Sequence, residues 1–194
     1  MRRRRALRVL GSAAAAPVLL PAGAGDLFAL GLDVRRGWPD YRALEALTPE
    51  QARTVTAVAE IILPRTDTPG ATDAGVVDFI DVLAAGWLDD DEGARLFDGL
   101  AEVERRARDR EGRPFDECSL EGRIAVVGSL DAEADTERRT AADGAPRPWF
   151  AELKRFVLAG YFTSEPVMRA LGVRSVHRSF EGCVLLDEFE GAGG

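Results

Sequence analysis

Leu47-Thr48-Pro49-Glu50-Gln51 is a helix start written out in full, and helix starts of the same kind recur along the 194-residue chain. Thr48 is placed as the N-cap, Pro49 sits where a missing N–H costs nothing, and Gln51 reaches back to complete a capping box. Ala52, Val55, Ala59 and Ile62 follow at helical spacing, and Pro64 ends the run. A chain punctuated this way has little room for sheet.

The turn-rich loop Arg65-Thr66-Asp67-Thr68-Pro69-Gly70-Ala71-Thr72 comes next. After it Asp73 is expected to cap a second helix, with Val76, Phe79, Ile80, Leu83 and Trp87 on its inner face and Asp78 and Asp81 on the opposite one. A third helix begins in Asp89-Asp90-Asp91-Glu92 and ends in Arg105-Arg106-Ala107-Arg108, with acids at its positive end and cations at its negative end. Leu96, Leu100, Val103 and Ala107 form its stripe, and Gly112 is its expected stop. The acidic start is not a calcium loop, because it lacks the glycine and glutamate that such a loop places at its sixth and twelfth positions.

Ser119 caps a fourth helix bearing Leu120, Ile124 and Val127. The stretch from Asp131 to Arg147 lacks large apolar residues and is expected to be a surface connection. Pro146 and Pro148 lead into a fifth helix with Trp149, Leu153, Phe156 and Gly160 on one face and Phe150, Val157 and Tyr161 beside them. Ser164 caps a short last helix that stops at Gly172, and Val173 to Gly194 shows only patches of alternation. The expected class is all-α: one compact domain of about five to six helices.

The first residues are of another kind. Arg2 to Arg5 and Arg8 precede a weakly apolar stretch, Val9 to Leu20, and then Ala22-Gly23-Ala24, a small-residue cleavage pattern. That stretch is too short to span a bilayer, and Pro17 breaks it. Arg4, Arg5 and Leu7 fit the twin-arginine export pattern, which addresses a route for folded cargo, although Arg3 and Leu7 depart from its commonest form. An ordinary secretory signal with an over-basic start is the plainer alternative. The expected division is residues 1–24 as signal and 25–194 as a helical domain in the periplasm.

Five of the 25 basic residues and none of the 33 acidic ones lie in that signal, so the remainder carries a net charge of −13. Nucleic acid is thereby a poor partner. Cys118 and Cys183 would meet in an oxidising compartment, where a disulfide is permitted but not required. Lysine occurs once, at Lys154, and histidine once, at His177. Phosphate loops, dinucleotide fingerprints, c-type haem and iron–sulfur motifs, serine triads and two-histidine zinc sites all lack their residues. The expectation is no catalytic, cofactor or metal residue in this chain.

Two stretches carry a resemblance. Leu47 to Asp81 reads LTPEQARTVTAVAEIILPRTDTPGATDAGVVDFID; Phe156 to Gly172 reads FVLAGYFTSEPVMRALG, with FEGC following at Phe180 to Cys183. The chain resembles the gluconate 2-dehydrogenase subunit 3 family. The resemblance implies a non-catalytic small subunit of a periplasmic sugar or sugar-acid dehydrogenase. Its catalytic partner would be a flavoprotein of the glucose-methanol-choline type holding FAD, with a multihaem cytochrome c as a possible third subunit. It also implies that the small subunit's twin-arginine signal brings the catalytic subunit through the translocase. The resemblance does not rest on the stretch from Asp131 to Pro148 or on the tail around His177.

For an interface with such a partner the sequence offers an aromatic-rich segment, Phe156, Tyr161, Phe162, Thr163, Ser164 and Glu165, together with Phe180 and Cys183 in the tail. Tyr161 and Phe162 serve equally well as core. Two rival readings stand beside the subunit: an independent periplasmic enzyme, which needs a cofactor or a pocket of perturbed carboxylates, and a free-standing helical binding protein.

Overall fold

The computed structural model describes residues 24–36, 43–142 and 144–173, and in them every regular element is helical. Seven α-helices follow in order: α1 Ala24–Arg36, α2 Pro49–Ile62, α3 Val76–Gly86, α4 Asp90–Glu111, α5 Leu120–Thr140, α6 Trp149–Phe162 and α7 Glu165–Ala170. A 3-10 turn, Phe115–Glu117, links α4 to α5. The all-α expectation holds. The export pattern at Arg4, Arg5 and Leu7 and the tail residues His177, Phe180 and Cys183 lie outside the described residues.

Local chemistry sets most helix starts as the sequence foretold. Thr48 and Gln51 close a reciprocal capping box on α2, and Asp89 and Glu92 do the same on α4. Ser119 accepts from the Gly122 N–H at 3.0 Å and caps α5, and Ser164 caps α7. Gly112 ends α4 in the left-handed region, at φ 71°, where glycine alone carries no Cβ penalty.

α6 is the axis of the bundle and touches each of the other six helices. Its buried residues, Phe150, Leu153, Phe156, Val157, Ala159, Gly160 and Tyr161, leave little of its circumference for solvent. At Gly160 the missing side chain is what lets α3 approach: a Cβ there would stand 2.9 Å from Phe79 Cδ1. Phe79, Ile80, Leu83, Phe115, Phe150 and Leu153 are fully enclosed at the centre. At roughly 1.5–3 kcal/mol for each large side chain removed from water, such residues dominate the stabilising side of folding.

Five local readings are corrected by packing. Asp73 does not cap α3: the N-cap is Gly75, at φ 64°, while the Asp73 carboxylate accepts from the Gly70 N–H at 2.8 Å and pairs with Arg65. Trp87 stands just past the end of α3 and is exposed rather than core. Asp81 is fully buried instead of facing solvent. On α5 the core takes Val126, Val127, Leu130 and Ala134, leaving Leu120 and Ile124 outside. Of the supposed surface connection from Asp131 to Arg147, the first ten residues continue the same helix to Thr140, and only the described residues beyond it are an exposed connection. Ala134 serves there as core, and good helix formers such as alanine, glutamate and arginine carry the rest.

α1 was not foreseen at all. It lies against α3 and α6, with Val34 fully buried, and a Cβ at Gly31 would stand 2.5 Å from the Thr163 side chain.

Candidate partner interface

The residues that carry the family resemblance converge on the face where α1, α3 and α6 meet. Arg35, at the end of α1, reaches across it. Its guanidinium donates to Gly160 O at 2.5 Å, Ala74 O at 3.1 Å and Thr163 Oγ1 at 3.1 Å, and lies 5.8 Å above the Phe79 ring. Gly160 belongs to the last turn of α6 and Thr163 is its C-cap, at the end where carbonyls lack intrahelical partners and a cation is favourable. Burial lowers the Arg35 pKa from its ordinary value, with Asp78 opposing the shift.

The Asp-Thr-Pro-Gly loop is fastened to the same helix. The Tyr161 hydroxyl donates to Pro69 O at 2.7 Å, joining positions 92 residues apart. Glu60 accepts from the Thr72 N–H at 2.7 Å, so α2 holds the far side of the loop. Asp81 does comparable work before α2: its carboxylate accepts from the N–H groups of Glu45, Ala46 and Leu47 at 2.8–3.2 Å. A buried carboxylate with that many donors is satisfied rather than reactive.

The proposed interface segment therefore divides into two sets. Phe156, Tyr161, Thr163 and Ser164 are buried within this chain, and the Thr163 and Ser164 hydroxyls donate to Ala159 O and Tyr161 O. Phe162 and Glu165 face outward, Phe162 at 42% exposure with its ring edge-on to Tyr161 at 5.2 Å. Leu171 and Val173 are also exposed near the end of α7. Their outward direction could not be read from the sequence, because Tyr161 and Phe162 are adjacent and only the path of α6 says which one turns in.

Two other places have chemistry enough to be weighed. A shallow cleft of about 330 Å³ between α4 and α6 is lined by Arg95, Leu96, Pro146, Arg147, Trp149 and Glu152. Glu152 is clamped there by Arg147 at 2.9 Å and Arg155 at 2.7 Å, so the principal charges answer one another. Buried Glu104 accepts from Thr54 Oγ1 at 2.7 Å and from the Phe115 N–H, tying α2, α4 and the 3-10 turn together. Cys118 is a buried free thiol, raised in pKa by desolvation, and the single lysine, Lys154, pairs with Asp131 at 2.6 Å. Among the described residues no group of three or more histidine, cysteine, aspartate or glutamate side chains is placed to hold a metal ion. No described helix is long and apolar enough to cross a membrane.

Comparison with known proteins gives one match. The family model described as gluconate 2-dehydrogenase subunit 3 covers residues 49–175, which takes in α2 through α7 and leaves α1 outside. No curated protein and no solved structure matches the chain.

Proposed function

Because the chain belongs to the gluconate 2-dehydrogenase subunit 3 family, we propose that it acts as the non-catalytic small subunit of a periplasmic dehydrogenase, escorting and stabilising the catalytic subunit. Family membership makes it a subunit of a complex with a dehydrogenase partner. The proposal adds that the partner is an FAD-holding flavoprotein of the glucose-methanol-choline type acting on a sugar or sugar acid, with a haem c subunit as a further electron acceptor. Export of the pair would run through the twin-arginine translocase, addressed by Arg4, Arg5 and Leu7.

What carries the reading is the use to which the family residues are put. Tyr161 holds the Pro69 carbonyl, Asp81 holds three backbone amides, and Ser164 caps its own helix. Motif groups turned inward and hydrogen-bonded support a scaffold that binds and carries. Turnover would call for a reactive group presented to a pocket.

The test removes this chain and follows the dehydrogenase subunit encoded with it. The expected outcome is a dehydrogenase that stays in the cytoplasm or loses activity, with the same loss when Arg4→Lys and Arg5→Lys are combined. Active dehydrogenase reaching the periplasm without this chain would end the escort role.

A further inference from the structure

α7 is held down by less than a helix of its length needs. From Glu165 to Val173 only Val167 is buried and Met168 half-buried, and α6 is the principal neighbour. Isolated helices shorter than about 12 residues are marginal in water, so this one of six residues depends on what covers it. Leu171 lies four residues on from Val167 and shares its face, yet it is 49% exposed. The inward stripe of α7 thus runs on past the point where the core stops. Phe162 at the entrance to the helix and Val173 at its exit are exposed in the same way, at 42% and 48%.

The end of α7 turns the chain back towards this surface. Gly172 is in the left-handed region, at φ 66°, and its N–H donates to Arg169 O at 3.1 Å, while the Val173 N–H donates to Met168 O at 2.9 Å. These two bonds close a Schellman turn, which brings the residue after the glycine back beside the last turn of the helix. The chain therefore leaves the described residues alongside α7 rather than along its axis. The 21 residues that follow, 174–194, lie outside the described residues, and their sequence is not that of a solvated tail. Val176, Phe180 and Val184 recur every fourth residue, and Leu185, Leu186 and Phe189 follow them. At about 3.3 Å per extended residue, the step from Val173 to Phe180 alone can span twice the roughly 9 Å length of α7.

We infer that the exposed surface at Phe162, Leu171 and Val173 is the seat of this chain's own tail, whose apolar residues between Val176 and Phe189 fold back over α7. The turn at Gly172 identifies the occupant, because it aims that segment at the surface left open. A segment tethered by a few residues also meets its seat at an effective concentration in the millimolar range, above that of any free partner. With the tail in place Phe162 is no longer an anchor open to the dehydrogenase subunit, and Phe180 is used within the chain instead of between chains. The inference does not depend on the subunit role proposed above.

The experiment follows amide hydrogen exchange in the full chain without any partner. The N–H groups of Met168, Leu171, Gly172 and Val173 are all hydrogen-bonded at α7, so their protection reports its cover. Leu185→Ser with Leu186→Ser should speed their exchange at least tenfold while the amides of α3 keep wild-type rates. Equal rates at α7 in the two chains overturn the inference. A second measurement stands apart from any loss of folding in that variant: a photoreactive benzoylphenylalanine placed at position 162 of the full chain. On irradiation it should crosslink within one chain to the segment between Val176 and Phe189. Crosslinks only between two copies would make a second chain the occupant, and crosslinks that form only after the dehydrogenase subunit is added would make that subunit the occupant. Either result, or no crosslink at all, overturns the inference.

Discussion

The meeting of α1, α3 and α6 and the outer edge of α4 and α5 both set arginine beside apolar side chains, yet they dispose of them in opposite ways. At the first, Arg35 has three oxygen acceptors, Tyr161 has Pro69 O, and Phe79 is sealed beneath them. At the second, Leu120 and Ile124 stand in solvent on α5, and the arginines of α4 are held at the surface by carboxylates, Arg105 by Glu102 and Arg106 by Glu133. Pro69, Phe79, Asp81 and Tyr161, which belong to the stretches that resemble the family, are thus consumed by the fold itself. A motif shared by a family of subunits can record how the subunit is built and still be silent about where it binds.

The sharpest way to break this contrast is Phe79→Ala. Phe79 is fully buried, lies against Gly160 and sits beneath Arg35, so its removal leaves a cavity that neither helix can collapse into freely. Losses of about 3–5 kcal/mol are usual for such changes. Urea denaturation should show a loss in that range, together with earlier proteolysis within residues 24–36 as Arg35 loses its seat. A loss below about 1 kcal/mol would mean that this junction is not where the fold is held.

Tyr161→Phe is the finer cut at the same place. It keeps the buried ring and deletes the hydroxyl that donates to Pro69 O, leaving that carbonyl to find water. A single neutral hydrogen bond is worth about 1 kcal/mol net, so a destabilisation of that order is expected with partner association unchanged. A large drop in association with unaltered stability would move Tyr161 from the fold to the interface.

Much of this fold was legible because helix starts are local. Thr48, Asp89, Ser119 and Ser164 each cap a helix through the N–H three residues on, and Gly112 stops α4 by its own φ. What escaped was decided at a distance. Asp81 is buried because the turn at Glu45 to Leu47 brings three amides to it from about 35 residues earlier. Asp73 loses α3 to Gly75 because its carboxylate is drawn back to Gly70. Leu120, Ile124 and Val127 share helical spacing, but only the placement of α4 and α6 determines that Val127 falls inside the edge and the other two outside. The interface segment was half legible for the same reason: aromatic density marks where α6 is crowded, not which ring faces out.

The smallest effect expected separates the two regions by pH. Glu102 on α4 accepts from Arg105 at 2.6 Å and Arg106 at 2.6 Å, and Arg106 continues to Glu133 on α5 at 2.7 Å. Hydrogen bonds from Arg105 and then Arg106 hold the Glu102 carboxyl down at about 2, from an ordinary value of 4.5. Arg106 lowers Glu133 in the same direction. A carboxyl depressed in the folded state stabilises above its unfolded pKa, and that contribution fades as pH falls from about 4.5 towards about 2. The shift taken at face value corresponds to about 3 kcal/mol at 1.36 kcal/mol per unit. Water screens this seam, and exposed pairs usually measure about 0.2–1 kcal/mol, so Glu102→Gln should cost about 1 kcal/mol at pH 7. Between pH 5 and pH 3 the wild-type chain should lose stability faster than Glu102→Gln, and the two urea midpoints should converge. Tyr161→Phe should instead run parallel to the wild type over the same interval, because a neutral hydroxyl and a carbonyl do not titrate there. Parallel curves for Glu102→Gln would show that the α4–α5 seam holds no pH-dependent stability.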